Sequence, residues 1–178
     1  MSEKKDKYSL WIVPKGDTGE AIQKLIDKLA DENHAPRFVP HITLVANIFA
    51  SSVELEDVAN RIKRCADQIG SFAIKLTGYG YMEEEFRSLY LLAEGEGLLI
   101  AYQNLLAQFP QVSDEHFQTM PHMSVLYGKY HQDLKDEIIA TNPLALTEFV
   151  VNDFDLYLTN NPVEDWQLSQ SFRLPSAT

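Results

Sequence analysis

The sequence lacks the features that mark several large classes of protein. Its 178 residues contain a single cysteine, Cys65, which excludes an internal disulfide. No apolar run approaches the length of a membrane-spanning helix, and the first apolar stretch is too short, between its flanking charges, to be a signal peptide. We therefore expect an intracellular, cytoplasmic protein without membrane contact, in which Cys65 is buried as a small apolar side chain.

Positive charge is also scarce. Lys and Arg number 15 against 26 Asp and Glu, which gives a net charge of -11. A protein that holds a long nucleic acid by its phosphates needs a basic face, so we expect no extended nucleic-acid binding. A small phosphorylated ligand in a local pocket is compatible with this charge. The five histidines are scattered, and no His/Cys spacing resembles a zinc motif, so we expect no metal site and no cofactor.

The sequence does contain a phrase that occurs twice. Residues 40–44 read PHITL, and residues 121–125 read PHMSV. Because residues two apart on a strand face the same side, each phrase presents one imidazole and one hydroxyl together, His41 with Thr43 and His122 with Ser124. Residues 9–16 also align with residues 88–95, which indicates an internal duplication. We therefore interpret the two histidines as symmetry mates.

Hydrophobic periodicity predicts alternating strands and helices. Strands are expected over residues 8–14, at His41, over 72–77, from residue 88, at His122, over 154–158 and over 166–174. Helices are expected over residues 18–33, from about 51 to 69, over 98–109 and over 133–140. Asp17 with Glu20, and Ser51 with Glu54, fit the pattern of capping boxes. Gly78, Gly80 and residues 83–85 predict a turn or exposed connection, and residues 110–120 a loop.

We expect an α+β fold in a single bilobal domain over residues 1–178. Its two pseudo-symmetric halves, roughly 1–80 and 86–178, would be of β-α-β type, with antiparallel or mixed sheets and strands exchanged between the lobes. With a pseudo-twofold axis between the two histidine strands, His41, Thr43, His122 and Ser124 meet in a central cleft. Such a cleft is the usual place for a small-molecule site.

Two imidazoles in one cleft suit acid/base catalysis, since histidine titrates near neutral pH. A phosphodiester fits this arrangement: a neutral imidazole activates water, an imidazolium protonates the departing alkoxide, and Thr43 and Ser124 donate to the non-bridging oxygens. The pseudo-symmetry leaves open which histidine is the base and which is the acid. The other three histidines, which have no matching partner, are interpreted as surface residues: His34, His116 and His131.

With both motifs in place, the chain resembles the two-histidine (2H) phosphoesterases, and within that superfamily the cyclic phosphodiesterases of eukaryotic type. The resemblance covers nearly the whole chain, through the order of elements, the length and both motifs. It implies a LigT-like fold around a water-filled cleft. It also implies hydrolysis, without metal, of 2′,3′-cyclic nucleotides to 2′-phosphates or of ADP-ribose 1″,2″-cyclic phosphate to the 1″-phosphate, in RNA or tRNA metabolism.

The resemblance extends to two aromatic side chains that would bind substrate, Trp11 on the first strand and Tyr127 five residues after His122. Strict alternation sends Tyr127 to the face opposite His122, so a bend after Leu126 is required, which Gly128 makes possible. For Trp11 a core role is the alternative, because an aromatic residue occupies the equivalent position of the second copy.

Two other functions are open. The first is an RNA 2′,3′-cyclic phosphodiesterase acting on RNA ends, similar to the bacterial 2′-5′ RNA ligase-like enzymes, although the acidic balance of the chain weighs against a polynucleotide substrate. The second is a non-catalytic nucleotide-binding module, which nothing in the sequence favours. We expect a monomer whose partner is a small cyclic-phosphate nucleotide.

Overall fold

The computed structural model describes residues 4–110, 120–144 and 148–176, in which the chain forms eight strands and four helices. The strands are β1 Asp6–Ile12, β2 Ile42–Ala50, β3 Phe72–Tyr81, β4 Leu89–Glu94, β5 His122–Leu126, β6 Glu148–Val151, β7 Asp153–Leu158 and β8 Gln167–Arg173. The helices are α1 Gly16–Asn33, α2 Leu55–Ala66, α3 Glu96–Gln108 and α4 Gln132–Thr141. Two single-turn 3-10 helices, Glu85–Arg87 and Val163–Asp165, precede β4 and β8. His116 and most of the loop predicted over residues 110–120 lie outside the described residues.

One antiparallel sheet contains all eight strands, in the order β6-β3-β4-β5-β2-β1-β7-β8. This arrangement confirms the predicted α+β fold. The histidine strands β5 and β2 lie side by side at the centre of the sheet. Strands β7 and β8 come from the end of the chain but extend the sheet beyond β1, whereas β3, from the first half, pairs with β4 and β6. Helix α1 contacts β5 and α3 contacts β2, so each helix supports the histidine strand of the other half.

The core lies between the helices and one face of the sheet. Helical stripes pack against the apolar residues that alternate along the central strands, including Leu10, Ile12, Ile42, Leu44, Met123 and Val125. Cys65 is buried in this core, as predicted. Since side chains alternate along a strand, the polar partners of these residues face away from the core. None of the helices described is long and apolar enough to cross a membrane.

The two predicted helix caps have different outcomes. The box between Ser51 and Glu54 is confirmed, because the Ser51 N–H donates to Glu54 Oε2 at 2.8 Å and the Glu54 N–H donates to Ser51 Oγ at 3.4 Å. The box predicted between Asp17 and Glu20 is wrong. Helix α1 begins earlier, after an extended Lys15 whose side chain makes no cap, so Asp17 falls within the first turn.

The predicted turn at Gly78 and Gly80 is also wrong, because both glycines lie within β3. Gly78 marks a bulge, where the pairing of β3 with β4 shifts register. Gly80 makes room for an aromatic ring: a Cβ atom at this position would lie 2.4 Å from Cε2 of Tyr90. Strand β6 was not predicted, since its four residues are too few to show a clear alternation.

Candidate active site

The two repeated phrases meet at the centre of the sheet. Ile42 on β2 pairs with Met123 on β5, and the antiparallel direction places Thr43 beside His122 and His41 beside Ser124. All four polar side chains line one cavity of about 250 Å³. The structure therefore brings together the four residues that the sequence singled out, and their chemical roles stay predictions at this point.

Both imidazoles are hydrogen-bonded to the backbone in the same way. Nδ1 of His41 lies 2.7 Å from the carbonyl oxygen of Val39, and Nδ1 of His122 lies 3.1 Å from that of Met120. In each phrase the accepting residue precedes the proline, which keeps the residue before it extended. A carbonyl can only accept, so Nδ1 carries the proton and Nε2 is left as the nitrogen available to a ligand in the cavity.

His41 is enclosed by aromatic rings. Its imidazole stacks on Trp11 with ring centroids 3.8 Å apart and planes 13° apart, and only 7% of the residue is exposed. Burial lowers the pKa of His41 to about 4, against the opposing effect of the Val39 hydrogen bond, and repulsion by His122 lowers it further. His41 is therefore neutral at pH 7, with a free electron pair on Nε2.

The surroundings of His122 differ from those of its symmetry mate. Tyr90, which occupies the position equivalent to Trp11, lies 5.2 Å from the His122 ring and is tilted by 60° instead of stacked. The Tyr90 hydroxyl donates to Sδ of Met120 at 3.2 Å. His122 is also more exposed than His41. The pseudo-symmetry of the sequence thus does not extend to equal environments for the two imidazoles.

The two hydroxyls differ as well. Thr43 is partly exposed to the cavity, and its side chain has no hydrogen-bond partner among the described residues. Ser124 is buried and donates to the carbonyl oxygen of Phe86 at 2.8 Å, and it is also hydrogen-bonded to the side chain of Tyr127. The Thr43 hydroxyl is therefore able to donate to a group in the cavity, whereas Ser124 would first have to rotate.

Tyr127 reaches the cavity by a route that differs from the one predicted. Tyr90 pairs with Ser124 but Leu89 pairs with Leu126, so β5 carries one extra residue, Val125, in a bulge. The bulge shifts the alternation and brings Tyr127 to the cavity face. The chain also bends after Leu126, at Gly128, as predicted, but the residue that shifts the alternation comes earlier, before Leu126.

The Tyr127 ring is packed between other aromatic residues. It stacks on Phe38 at 3.9 Å and meets Phe86 edge to face at 5.3 Å, and the residue is 5% exposed. Burial raises the pKa of its hydroxyl. Tyr127 is therefore a protonated hydrogen-bond donor at the cavity wall, held in place before any substrate arrives.

Trp11 also lines the cavity, but both faces of its ring are covered. His41 stacks on one side, and Tyr157 lies on the other at 4.3 Å with planes 24° apart. Only 2% of Trp11 is exposed. Stacking of a base on Trp11 would require one of these two rings to leave, so its predicted contact with substrate is limited to the ring edge.

Further cavity-lining residues were missed by the sequence interpretation. They come from segments outside the repeated phrases, where no motif marks them, and they include Lys7, Asn47, Phe86, Arg87, Thr159 and Trp166. Two of them, Phe86 and Trp166, could have been singled out from the sequence. Phe86 is an isolated aromatic residue in an acidic segment, and Trp166 follows a turn. Within the described residues, no three His, Cys, Asp or Glu side chains gather as a metal site would require.

Comparisons with known proteins point in one direction. A model of the 2′-5′ RNA ligase superfamily matches residues 14–162, which include both histidine phrases. A cyclic phosphodiesterase of Arabidopsis thaliana is 24% identical over 133 residues, covering 74% of this chain and 71% of that protein.

Solved structures share the fold. E. coli LigT in its apo form superposes with a TM-score of 0.67 at 15% identity and covers 98% of this chain and 100% of its own. TT0787 of Thermus thermophilus superposes with a TM-score of 0.65 at 19% identity and covers 97% of this chain and 100% of its own. At these identities the likeness concerns the fold, and it confirms the expected LigT-like architecture.

Proposed function

Because the chain belongs to the 2′-5′ RNA ligase superfamily, that of the two-histidine phosphoesterases, we propose that it is a metal-independent cyclic phosphodiesterase. Its substrates are small 2′,3′-cyclic nucleotides or ADP-ribose 1″,2″-cyclic phosphate, and its products are the 2′- or 1″-phosphomonoesters. The name of the Arabidopsis relative, cyclic phosphodiesterase, supports this reaction class.

The observation that carries the proposal is the paired arrangement of the imidazoles. His41 and His122 line one cavity, and each has its Nδ1 proton held by a backbone carbonyl, so that both Nε2 atoms are left for the reaction. A base and an acid on one phosphodiester can be supplied by two such groups. Each positioned proton transfer typically contributes about 10²–10⁴ in rate.

The environments of the histidines support one assignment of the roles. His41, kept neutral by burial, takes a proton from water on Nε2 while the water oxygen attacks phosphorus. The bond from phosphorus to the ribose 3′ oxygen then breaks, and that oxygen receives the proton from Nε2 of His122. Thr43 donates to a non-bridging oxygen, where negative charge accumulates. Exchange of protons with solvent restores the starting state.

The size of the cavity and the net charge of the chain favour a small substrate. The cavity of about 250 Å³ lies near the lower end of ligand pockets, which typically enclose about 300–1,000 Å³. The net charge of -11 disfavours a long polyanion. Both properties suit a mononucleotide better than the end of an RNA.

A substrate panel tests the proposal. The purified protein is incubated in EDTA with 2′,3′-cyclic AMP, ADP-ribose 1″,2″-cyclic phosphate and an oligonucleotide ending in a 2′,3′-cyclic phosphate, and products are identified by phosphorus NMR. We expect 2′-AMP from the first substrate and slow turnover of the oligonucleotide. His41→Ala and His122→Ala should each lower kcat by about 10²-fold or more, while His131→Ala, at an exposed position outside the cavity, should not.

Other outcomes would replace the proposal. Formation of 3′-AMP contradicts the stated regiochemistry, and activity that survives in the double histidine variant contradicts the mechanism. Faster turnover of the oligonucleotide than of the mononucleotide would identify an enzyme of RNA ends. Binding of AMP without hydrolysis of any cyclic phosphate would identify a nucleotide-binding module.

A further inference from the structure

The internal duplication allows the two ends of the cavity to be compared position by position. Ala46 lies five residues after His41 and is the counterpart of Tyr127, which lies five after His122. Aligning residues 9–16 with 88–95 likewise makes Lys7 the counterpart of Phe86. All four residues line the cavity, although Lys7 lies in β1 and Phe86 in the 3-10 helix before β4.

Both copies carry a bulge on the way to these positions. Trp11 pairs with Thr43 but Leu10 pairs with Val45, which places a bulge at Leu44, the counterpart of the bulge at Val125. One residue beyond Ala46, Asn47 has a φ of 57°, and one residue beyond Tyr127, Gly128 has a φ of 128°. The two ends of the cavity therefore share the bulge that turns Ala46 and Tyr127 towards the cavity, and they differ in their side chains.

One end of the cavity is closed by its own residues. Tyr127 packs against both Phe38 and Phe86, with the stacked pair 3.9 Å apart. The Tyr127 hydroxyl is hydrogen-bonded to Ser124, which in turn donates to the Phe86 carbonyl oxygen. These contacts fill the space beside His41 with a fixed wall.

The other end is open. A methyl group, that of Ala46, stands where Tyr127 closes the opposite end, and a long flexible lysine, Lys7, stands where Phe86 lies. Among the described residues, the Lys7 ammonium forms no ion pair. Asn47 and Thr159 line the cavity too, and the buried Thr159 hydroxyl donates to the carbonyl oxygen of Lys7 at 3.2 Å. The Asn47 amide and the Lys7 ammonium are thus the polar groups that border the space.

We propose that this open end, defined by Lys7, Ala46, Asn47 and Thr159, is the subsite for the nucleoside part of the substrate. The ribose and base carry the acceptor atoms that an ammonium and an amide recognise. The inference rests on the proposed function and locates the substrate within its cavity. The residue that decides specificity is Ala46, because its small side chain provides the space that Tyr127 occupies at the other end.

The subsite also agrees with the assigned proton transfers. The pairing of Ile42 with Met123 puts His122 beside Thr43, on the side of the open end, and His41 beside Ser124, on the side of Tyr127. A nucleoside in the open end brings its departing ribose oxygen to His122. The attacking water is then activated by His41 at the closed end.

The test introduces at the open end the tyrosine side chain that closes the other end. Ala46→Tyr is assayed with 2′,3′-cyclic AMP and with glycerol 1,2-cyclic phosphate, which has the cyclic phosphate but neither ribose nor base. We expect kcat/KM for the nucleotide to fall at least 30-fold more than kcat/KM for the glycerol ester. Val150→Tyr, which adds the same ring at an exposed position of edge strand β6, should leave both values unchanged.

A second variant removes the cation without filling the space. Lys7→Met should raise KM for 2′,3′-cyclic AMP about 10-fold with little change in kcat, because a hydrogen bond to a charged group is lost. If circular dichroism shows that Ala46→Tyr does not fold, the KM of Lys7→Met alone tests the subsite. An unchanged KM in Lys7→Met, or equal losses on both substrates in a folded Ala46→Tyr, overturns the subsite.

Failure of the subsite and failure of the proposed function can be told apart. If the unmodified protein hydrolyses neither of these substrates nor ADP-ribose 1″,2″-cyclic phosphate, the proposed function is wrong, and the subsite is judged by calorimetric binding of 2′-AMP. Affinity at least 10-fold weaker in Ala46→Tyr supports the subsite, and equal affinity in the two proteins overturns it.

Discussion

Ile42 pairs with Met123 across the centre of the sheet, and each of these residues directly follows a histidine of the site. The pair therefore lies between the two imidazoles and fixes the spacing of the strands that carry them. Helices α1 and α3 reinforce this centre from the core side, since each packs on the histidine strand of the other half. The site is thus built where the sheet halves join.

The pH dependence of the rate should report His41. A base must be neutral to accept a proton, and the pKa of His41 is about 4 because of burial. We expect kcat/KM for 2′,3′-cyclic AMP to be retained from pH 7 to pH 5 and to fall about tenfold per pH unit below about 4. An acid limb near 6.5, the ordinary value for histidine, would show that His41 is not the base.

The same residue should make the fold sensitive to acid. The pKa of His41 is about 4 when folded and 6.5 by its ordinary value, so the unfolded chain binds the proton first as the pH falls. The contribution of His41 to the free energy of unfolding is complete above about pH 6.5 and is lost towards pH 4, by about 3 kcal/mol in total. Urea unfolding of His41→Gln should show a decline that is smaller by this amount. An equal decline of the free energy of unfolding with falling pH in the two proteins would contradict the expectation.

Thr43 and Ser124 should respond differently to loss of their hydroxyls. Thr43→Val removes a donor without a protein partner, so kcat/KM should fall about 10-fold or more while the free energy of unfolding is kept. Ser124→Ala leaves the Phe86 carbonyl and the Tyr127 hydroxyl without their partner and should lower the free energy of unfolding by about 1–3 kcal/mol. Thermal unfolding and steady-state kinetics are measured for both variants. Equal losses of stability in Thr43→Val and Ser124→Ala would contradict the expected difference between the two hydroxyls.

Trp11 should act through the orientation of His41. Trp11→Leu removes the ring that lies between His41 and Tyr157, so we expect kcat to fall at least about 10-fold with KM little changed. Trp11→Phe keeps a ring in the stack and should lose less. A rise in KM at constant kcat would instead indicate direct contact between Trp11 and the substrate.

The repeated phrases made the fold class and the site's four polar residues predictable. A period of two along the strand dictates that His41 and Thr43 share a face, and the duplication implies that His122 and Ser124 meet them. These relations depend only on local backbone geometry and on symmetry. They hold in the structure for that reason.

What could not be predicted depends on contacts between distant segments. A bulge adds one residue to a strand and has no characteristic composition, so the extra residue at Val125 could not be recognised from the sequence. Strict alternation without this bulge puts Tyr127 on the face opposite the cavity. Phe86 and Trp166 enter the cavity from connections whose course is set by tertiary packing. Helix α1 begins before Asp17, directly after an extended Lys15, so the local capping preference of Asp17 is not used.

The unequal ends of the cavity have a consequence for how a substrate can lie. A cleft with the same side chains at both ends would accept a ligand in either of two directions, and turning the ligand round would exchange the tasks of the two imidazoles. With Tyr127 at one end and Ala46 at the other, only one direction is left. Divergence at equivalent positions thus gives a duplicated framework a fixed polarity.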